Sequence, residues 1–177
     1  RIYGQDRAVK AATMLLYNHI HAHKRNILFA GPTGCGKTEI WRVMSRLYPN
    51  IRIIDSTMLT MQGWSGSFKV RDIFSSMSQE EAEKAIIVFD EFDKFCEPLY
   101  GSNGTNYGAA AQNELLKLIE GGQIYFPADK GKPALELDSS GISFVFCGSF
   151  ERLTDVKTES ESFRKKMHMS SMKKKSQ

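Results

Sequence analysis

Apolar positions along the chain fall into two alternating patterns. From Gln5 to His23, Ala8, Val9, Ala12, Leu15, Leu16 and Ile20 recur at helical spacing, with Asp6 in the first turn. Asn26 to Ala30 is a short continuous apolar run, read as a buried strand, and Glu39 to Leu47 then carries Ile40, Val43, Met44 and Leu47 on one helical face. Ile51 to Asp55 predicts a second strand, Phe68 to Ala82 a largely helical segment, and Ile86 to Phe89 a third strand. Ala109 to Glu120 repeats the helical pattern until Gly121-Gly122 stops it, and Ile142 to Cys147 is a last buried strand. Between these lie the turn-like Gly63-Trp64-Ser65-Gly66 and a loop from Pro98 to Gly108 in which Gly, Ser and Asn cluster. Strands alternating with helices predict an α/β fold: a parallel sheet with helices on both faces.

The junction after the first strand changes this picture most. Gly31-Pro32-Thr33-Gly34-Cys35-Gly36-Lys37-Thr38 matches the phosphate-binding template GxxxxGK[ST], in the required strand, loop, helix order. Glycine frees the backbone to turn successive N–H groups toward phosphate oxygens. Lys37 adds an ammonium for the terminal phosphates, Thr38 a hydroxyl for Mg²⁺, and the helix opening there presents its positive end to the anion. The fold expected is that of a P-loop NTPase.

Ile86-Ile87-Val88-Phe89 runs directly into Asp90-Glu91. Acid at the carboxyl end of a buried parallel strand lies on the edge where open α/β sheets bind ligands. Asp90 is therefore expected near the metal held by Thr38, acting through a bound water because Mg²⁺ keeps much of its hydration shell. Glu91, one residue on and pointing differently, is suited to polarise an attacking water. Asp55, ending the second strand, is read as structural.

Composition narrows the class. The chain has 177 residues, of which 41% are hydrophobic and 25% charged, enough for one substantial core. No stretch approaches membrane-spanning length and the amino end carries no signal-peptide pattern, so a cytoplasmic protein is expected. Cys35, Cys96 and Cys147 are odd in number and outside any metal spacing, which suits a reducing compartment. Cys35 reads as a small side chain at a variable loop position. The net charge of +4 belongs to the end of the chain: six basic residues and no acid follow Phe163, leaving the rest at −2. Residues 154–177 are accordingly expected to be a basic, flexible tail rather than a nucleic-acid surface. His19 and His23 share a helix face, but without a carboxylate or thiolate partner they read as a solvated helix end.

Several separated segments resemble the ClpX-like AAA+ unfoldases. Ile2-Tyr3-Gly4-Gln5 is similar to the family's V-I-G-Q, Tyr17-Asn18-His19 to its Y-N-H, and the phosphate loop to its G-P-T-G-S-G-K-T. Asp90-Glu91-Phe92-Asp93-Lys94 resembles D-E-I-D-K, Glu114 to Gly121 resembles A-L-L-K-L-I-E-G, and Phe146-Cys147-Gly148-Ser149-Phe150 resembles I-C-G-G-A-F. The resemblance covers Ile2 to about Leu153, the expected extent of an AAA+ large subdomain without its small helical subdomain.

That resemblance implies a hexameric ring ATPase that binds ATP or ADP with Mg²⁺ and pulls unfolded or tagged protein through a central pore. It places Ile2 and Tyr3 beside the adenine, Gly31 to Glu39 around the phosphates, Thr38 and Asp90 on the metal, and Lys37, Glu91 and Ser149 at the reacting phosphate. Gly63-Trp64-Ser65-Gly66 stands where the family has its G-Y-V-G pore loop, so Trp64 would grip substrate by apolar contact. Gln123 to Leu135 stands at a second pore loop. Neither an amino-terminal zinc module nor the I-G-F tripeptide that docks a ClpP-like peptidase is visible, and the family's trans-acting arginine would lie further on. Other readings are a AAA+ nucleic-acid motor or helicase loader, given Asp90-Glu91-Phe92-Asp93, and a nucleotide-gated interaction module with little turnover.

Overall fold

The computed structural model describes residues 4–60, 68–98, 100, 106–129 and 131–151. In chain order its elements are α1 (Asp6–Ile20), β1 (Ile27–Ala30), α2 (Lys37–Leu47), β2 (Ile51–Asp55), β3 (Leu59–Thr60), β4 (Phe68–Lys69), α3 (Gln79–Glu83), β5 (Ile86–Asp90), α4 (Phe92–Phe95), α5 (Tyr107–Glu120), β6 (Gln123–Phe126), β7 (Leu135–Asp138) and β8 (Ser143–Gly148). The central sheet runs β1-β8-β5-β2, and every neighbouring pair in it is parallel. Register aligns Ala30 with Gly148 and Asp55 with Asp90, so the carboxyl ends of these strands finish along one edge.

Alternation along β5 explains the two helical layers. Ile86 and Val88 turn toward α1 and α2, where they join Ala12, Leu15, Ile40, Trp41 and Met44. Ile87 and Phe89 turn the other way, toward Ala82 of α3, Phe95 of α4 and Ala111, Leu115 and Leu118 of α5. A strand buried on both faces reads as an unbroken apolar run because each face needs its own set of side chains. Burying one such side chain contributes about 1.5–3 kcal/mol. The α/β architecture with helices on both faces is the one expected from the sequence.

One expectation fails between Phe68 and Ala82. Instead of a long helix, β4 pairs with β3, Val70–Phe74 forms a 3-10 turn, and only Gln79–Glu83 is α-helical. The reason lies in charged side chains that anchor outward across sequence. Lys69 pairs with Asp129, Lys132 donates to Asp72 Oδ1 at 2.6 Å, and the Arg71 guanidinium donates to the carbonyls of Pro127 and, at 2.6 Å, Pro133. The 3-10 turn is thereby pinned to the end of the antiparallel β6–β7 hairpin. α3 starts late because Ser78 and Glu81 form a reciprocal capping box there.

A second correction concerns His19, expected on a solvated helix end and found buried. Its Nε2 lies 2.9 Å from the Lys84 carbonyl and its Nδ1 2.9 Å from Ser143 Oγ. A carbonyl only accepts, so Nε2 carries the proton and Nδ1 accepts from the Ser143 hydroxyl. That hydroxyl in turn accepts from the Arg25 N–H at 3.1 Å. The neutral ring thus ties α1 to the beginning of β8 and the end of α3 with every polar atom satisfied. His21 and His23 remain exposed.

Burial lowers the His19 pKa, against a smaller raising effect of the Lys84 carbonyl. The folded state resists taking a proton that the unfolded chain accepts near its ordinary value of about 6.5. Stability from this site is therefore complete above that pH and declines as the pH falls below it. His19→Gln is expected to cost about 1–3 kcal/mol at neutral pH, with the deficit narrowing on acidification. Urea melts of both proteins between about pH 5 and 8 check this, and a pH-independent difference would contradict it.

Candidate functional site

The phosphate loop follows β1 directly, and its first N–H, from Gly31, donates to the Gly148 carbonyl at 3.2 Å, extending the β1–β8 ladder into the loop. Gly34 at φ 78° and Gly36 at φ 89° then take left-handed conformations, the second as the residue that caps α2. A Cβ at either position would be strained, which explains glycine there. Pro32 and Thr33, between Gly31 and Gly34, are exposed. Cys35 turns back, its N–H 3.4 Å from the Pro32 carbonyl. Lys37 folds over the loop, its ammonium donating to the Gly31 carbonyl at 2.6 Å and the Pro32 carbonyl at 2.8 Å, with Cys35 Sγ at 3.7 Å. Glu39, exposed at the start of α2, faces Arg42 at 3.5 Å.

The acids of β5 meet this loop across the sheet edge. Thr38 Oγ1 donates to Asp90 Oδ1 at 2.7 Å, although 52 positions separate them in sequence. Asp90 Oδ1 also accepts the Glu91 N–H at 3.1 Å, and Glu91 itself adopts a left-handed conformation, φ 51°. That bend lets the chain turn from β5 into α4. Thr33, Gly34, Lys37, Thr38, Asp90 and Glu91 line one cleft of about 530 Å³. The Gly148-Ser149 turn at the end of β8, the strand between β1 and β5, lines it as well.

Ser149 does line the cleft, with its hydroxyl donating to Asp93 Oδ2 at 2.8 Å. Asp93, Arg42, Lys94 and Glu151 complete the wall. These four carry no role in the sequence reading: their place depends on α2, α4 and β8 converging, which no local spacing encodes. Cys147 sits buried beside β1, paired in register with Phe29; burial, assisted by the Asp90 carboxylate, pushes its thiol up to about 12. It is a protonated packing residue. Asp55 accepts the Thr57 N–H at 2.9 Å and the Thr57 hydroxyl at 2.7 Å, a turn-forming role. Ile2, Tyr3 and the Gly63, Trp64, Ser65, Gly66 loop lie outside the described residues.

The donor set fits a magnesium nucleotide: left-handed glycines that free backbone N–H groups, an ammonium at the loop mouth, and a hydroxyl already within hydrogen-bond reach of a carboxylate. A profile of the "ATPase family associated with various cellular activities (AAA)" matches residues 27–162, from β1 through the phosphate loop, the β5 acids and β8. The chain belongs to this family. Among curated relatives it is similar to the protein named ATP-dependent Clp protease ATP-binding subunit ClpX in two strains of Porphyromonas gingivalis. Each is 30% identical over 176 aligned positions, covering 85% of this chain and 43% of the relative. The chain thus spans less than half the length of these curated relatives. Among the described residues no helix is long and apolar enough to cross a membrane.

Proposed function

We propose that this chain is the nucleotide-binding large domain of a ring-forming AAA ATPase that hydrolyses Mg·ATP to unfold and translocate polypeptide. The observation that carries the ATPase part is the 2.7 Å contact between Thr38 Oγ1 and Asp90 Oδ1, which brings the phosphate loop and the acid-bearing strand into one cleft. Bound ATP would supply the phosphoanhydride to be cleaved, and Mg²⁺ the charge that offsets its oxygens. Gly31 to Glu39 bind and orient the phosphates, with Lys37 at the terminal ones. Thr38 and Asp90 would hold the metal. Glu91 takes a proton from the attacking water, and Ser149 lines the cleft at the end of β8. Ile2 and Tyr3 are assigned to the adenine side by motif similarity. The domain is taken as residues 1–153, with the basic segment 154–177 assigned to a tail.

Similarity to ClpX supports the unfoldase part, as does the glycine-flanked Trp64 at the position of that family's pore aromatic. In this reading the partners are further copies of the chain, in a hexamer, and an unfolded or tagged protein. A ClpP-like peptidase is the partner suggested by the relatives' name, in a cytoplasmic setting. Turnover measured with unfolded protein, with single-stranded DNA and with neither tests the reading. Stimulation by protein alone is expected, whereas stimulation by DNA alone would point to a nucleic-acid motor and absent turnover to an interaction module. Trp64→Ala should leave basal turnover near normal while abolishing coupled unfolding of a tagged fluorescent protein; undiminished unfolding removes Trp64 from the pore.

A further inference from the structure

Asp93 stands two residues beyond Glu91, in the first turn of α4, with its carboxylate on the end of β8. Its carboxylate accepts the Ser149 hydroxyl at 2.8 Å, and the N–H groups of Ser149, Asp93 and Phe150 converge on it as well. Burial alone would raise the Asp93 carboxyl; those donors outweigh it and hold the group below the usual carboxylate range. The two segments approach as closely as the chain allows. A Cβ on Gly148 would lie 2.6 Å from Asp93 Oδ1 and 3.0 Å from Asp93 N, so only glycine fits. Underneath, the rings of Phe92 and Phe146 meet with centroids 4.6 Å apart. Phe150 closes the turn in a left-handed conformation, φ 52°.

From this we infer that Asp93 is a positioning residue: it tethers the Gly148–Phe150 turn to the segment carrying Glu91, fixing the wall of the cleft against the candidate base. Ser149 then acts through Asp93 and not on phosphate. The inference rests on the nucleotide-hydrolysis reading for its catalytic consequence, but the tether itself is independent of it. A single carboxylate gathers donors from both backbone and side chain of one turn, so its loss frees the whole turn. Displacement of a catalytic wall by about 1 Å costs on the order of 10²-fold in rate without a matching loss of affinity.

The test compares Asp93→Ala, Asp93→Asn and Ser149→Ala in the full chain. Without nucleotide, amide hydrogen exchange at Ser149 and Phe150 is expected to accelerate at least about tenfold in Asp93→Ala, with β8 and the phosphate loop still protected. Unchanged exchange there overturns the tether. With Mg·ATP, kcat of Asp93→Ala is expected to fall by about 10²-fold while nucleotide Kd moves less than about threefold. Asp93→Asn, which keeps the shape and part of the acceptor set, and Ser149→Ala, which leaves the backbone donors in place, should each fall less. A larger loss in Ser149→Ala than in Asp93→Ala would mean that the hydroxyl acts directly on phosphate and would overturn the inference, as would a proportional loss of affinity and kcat. If the parent chain binds no nucleotide, the hydrolysis reading fails while the exchange comparison still decides the tether.

Discussion

Glu91→Gln is expected to bind Mg·ATP within about twofold of the parent protein and to hydrolyse it about 10²- to 10⁴-fold more slowly. The substitution keeps the size and polarity of the side chain but removes its capacity to take a proton. It also leaves Asp90 untouched, because what Asp90 receives from position 91 is the backbone N–H, at 3.1 Å. Binding and turnover should therefore separate. Equilibrium titration with a fluorescent nucleotide and steady-state phosphate release measure the two quantities. Turnover at the parental rate would exclude Glu91 as the base, and a collapse of affinity would mean that it holds the nucleotide instead.

Lys37→Met is expected to do the opposite, weakening nucleotide binding by about 10- to 150-fold, the equivalent of losing hydrogen bonds to a charged group worth about 1.5–3 kcal/mol. Met preserves the apolar stem. The loop should keep its shape, since its turns are set by the backbone of Gly34 and Gly36 and by the ladder bond from Gly31 to Gly148. The variant should accordingly melt at nearly the parental temperature without nucleotide and lose most of the upward shift that nucleotide gives the parent. An equal shift in both proteins would show that the ammonium contributes nothing to the bound state.

The two halves of this site differ in how far the sequence discloses them. The phosphate loop was legible because its requirements are local: glycines where φ is positive, then a lysine and a hydroxyl at the start of a helix. The acidic strand was legible because a strand buried on both faces must be apolar throughout, so Asp90 and Glu91 announce where burial stops. A parallel sheet with helices on both faces followed from strands alternating with helices, whereas the order β1-β8-β5-β2 was not written in that pattern. What escaped depended on partners distant in sequence. His19 looked like a surface residue until Ser143, 124 positions away, supplied its hydrogen-bond partner. Arg71 and Asp72 fell inside a segment expected to be largely helical, whereas their partners lie 56 to 62 positions further on, at the end of the β6–β7 hairpin. Asp93 lay inside a quoted motif, yet its partner Ser149 is 56 positions further on. Apolar periodicity carries no information about such polar pairings, because a charged side chain bound internally is spelled the same way as one in water.

The left-handed backbone at Glu91 has a consequence for how this protein can change. A side chain other than glycine held there costs on the order of 1–3 kcal/mol, so the fold would be firmer with glycine or asparagine at that position. Selection for thermal endurance alone would tend to erode the acid, and only a continuing demand for turnover keeps it in place. A descendant that had given up catalysis in favour of scaffolding would be recognisable by a relaxed residue at this one bend, with the glycines of the neighbouring loop still intact.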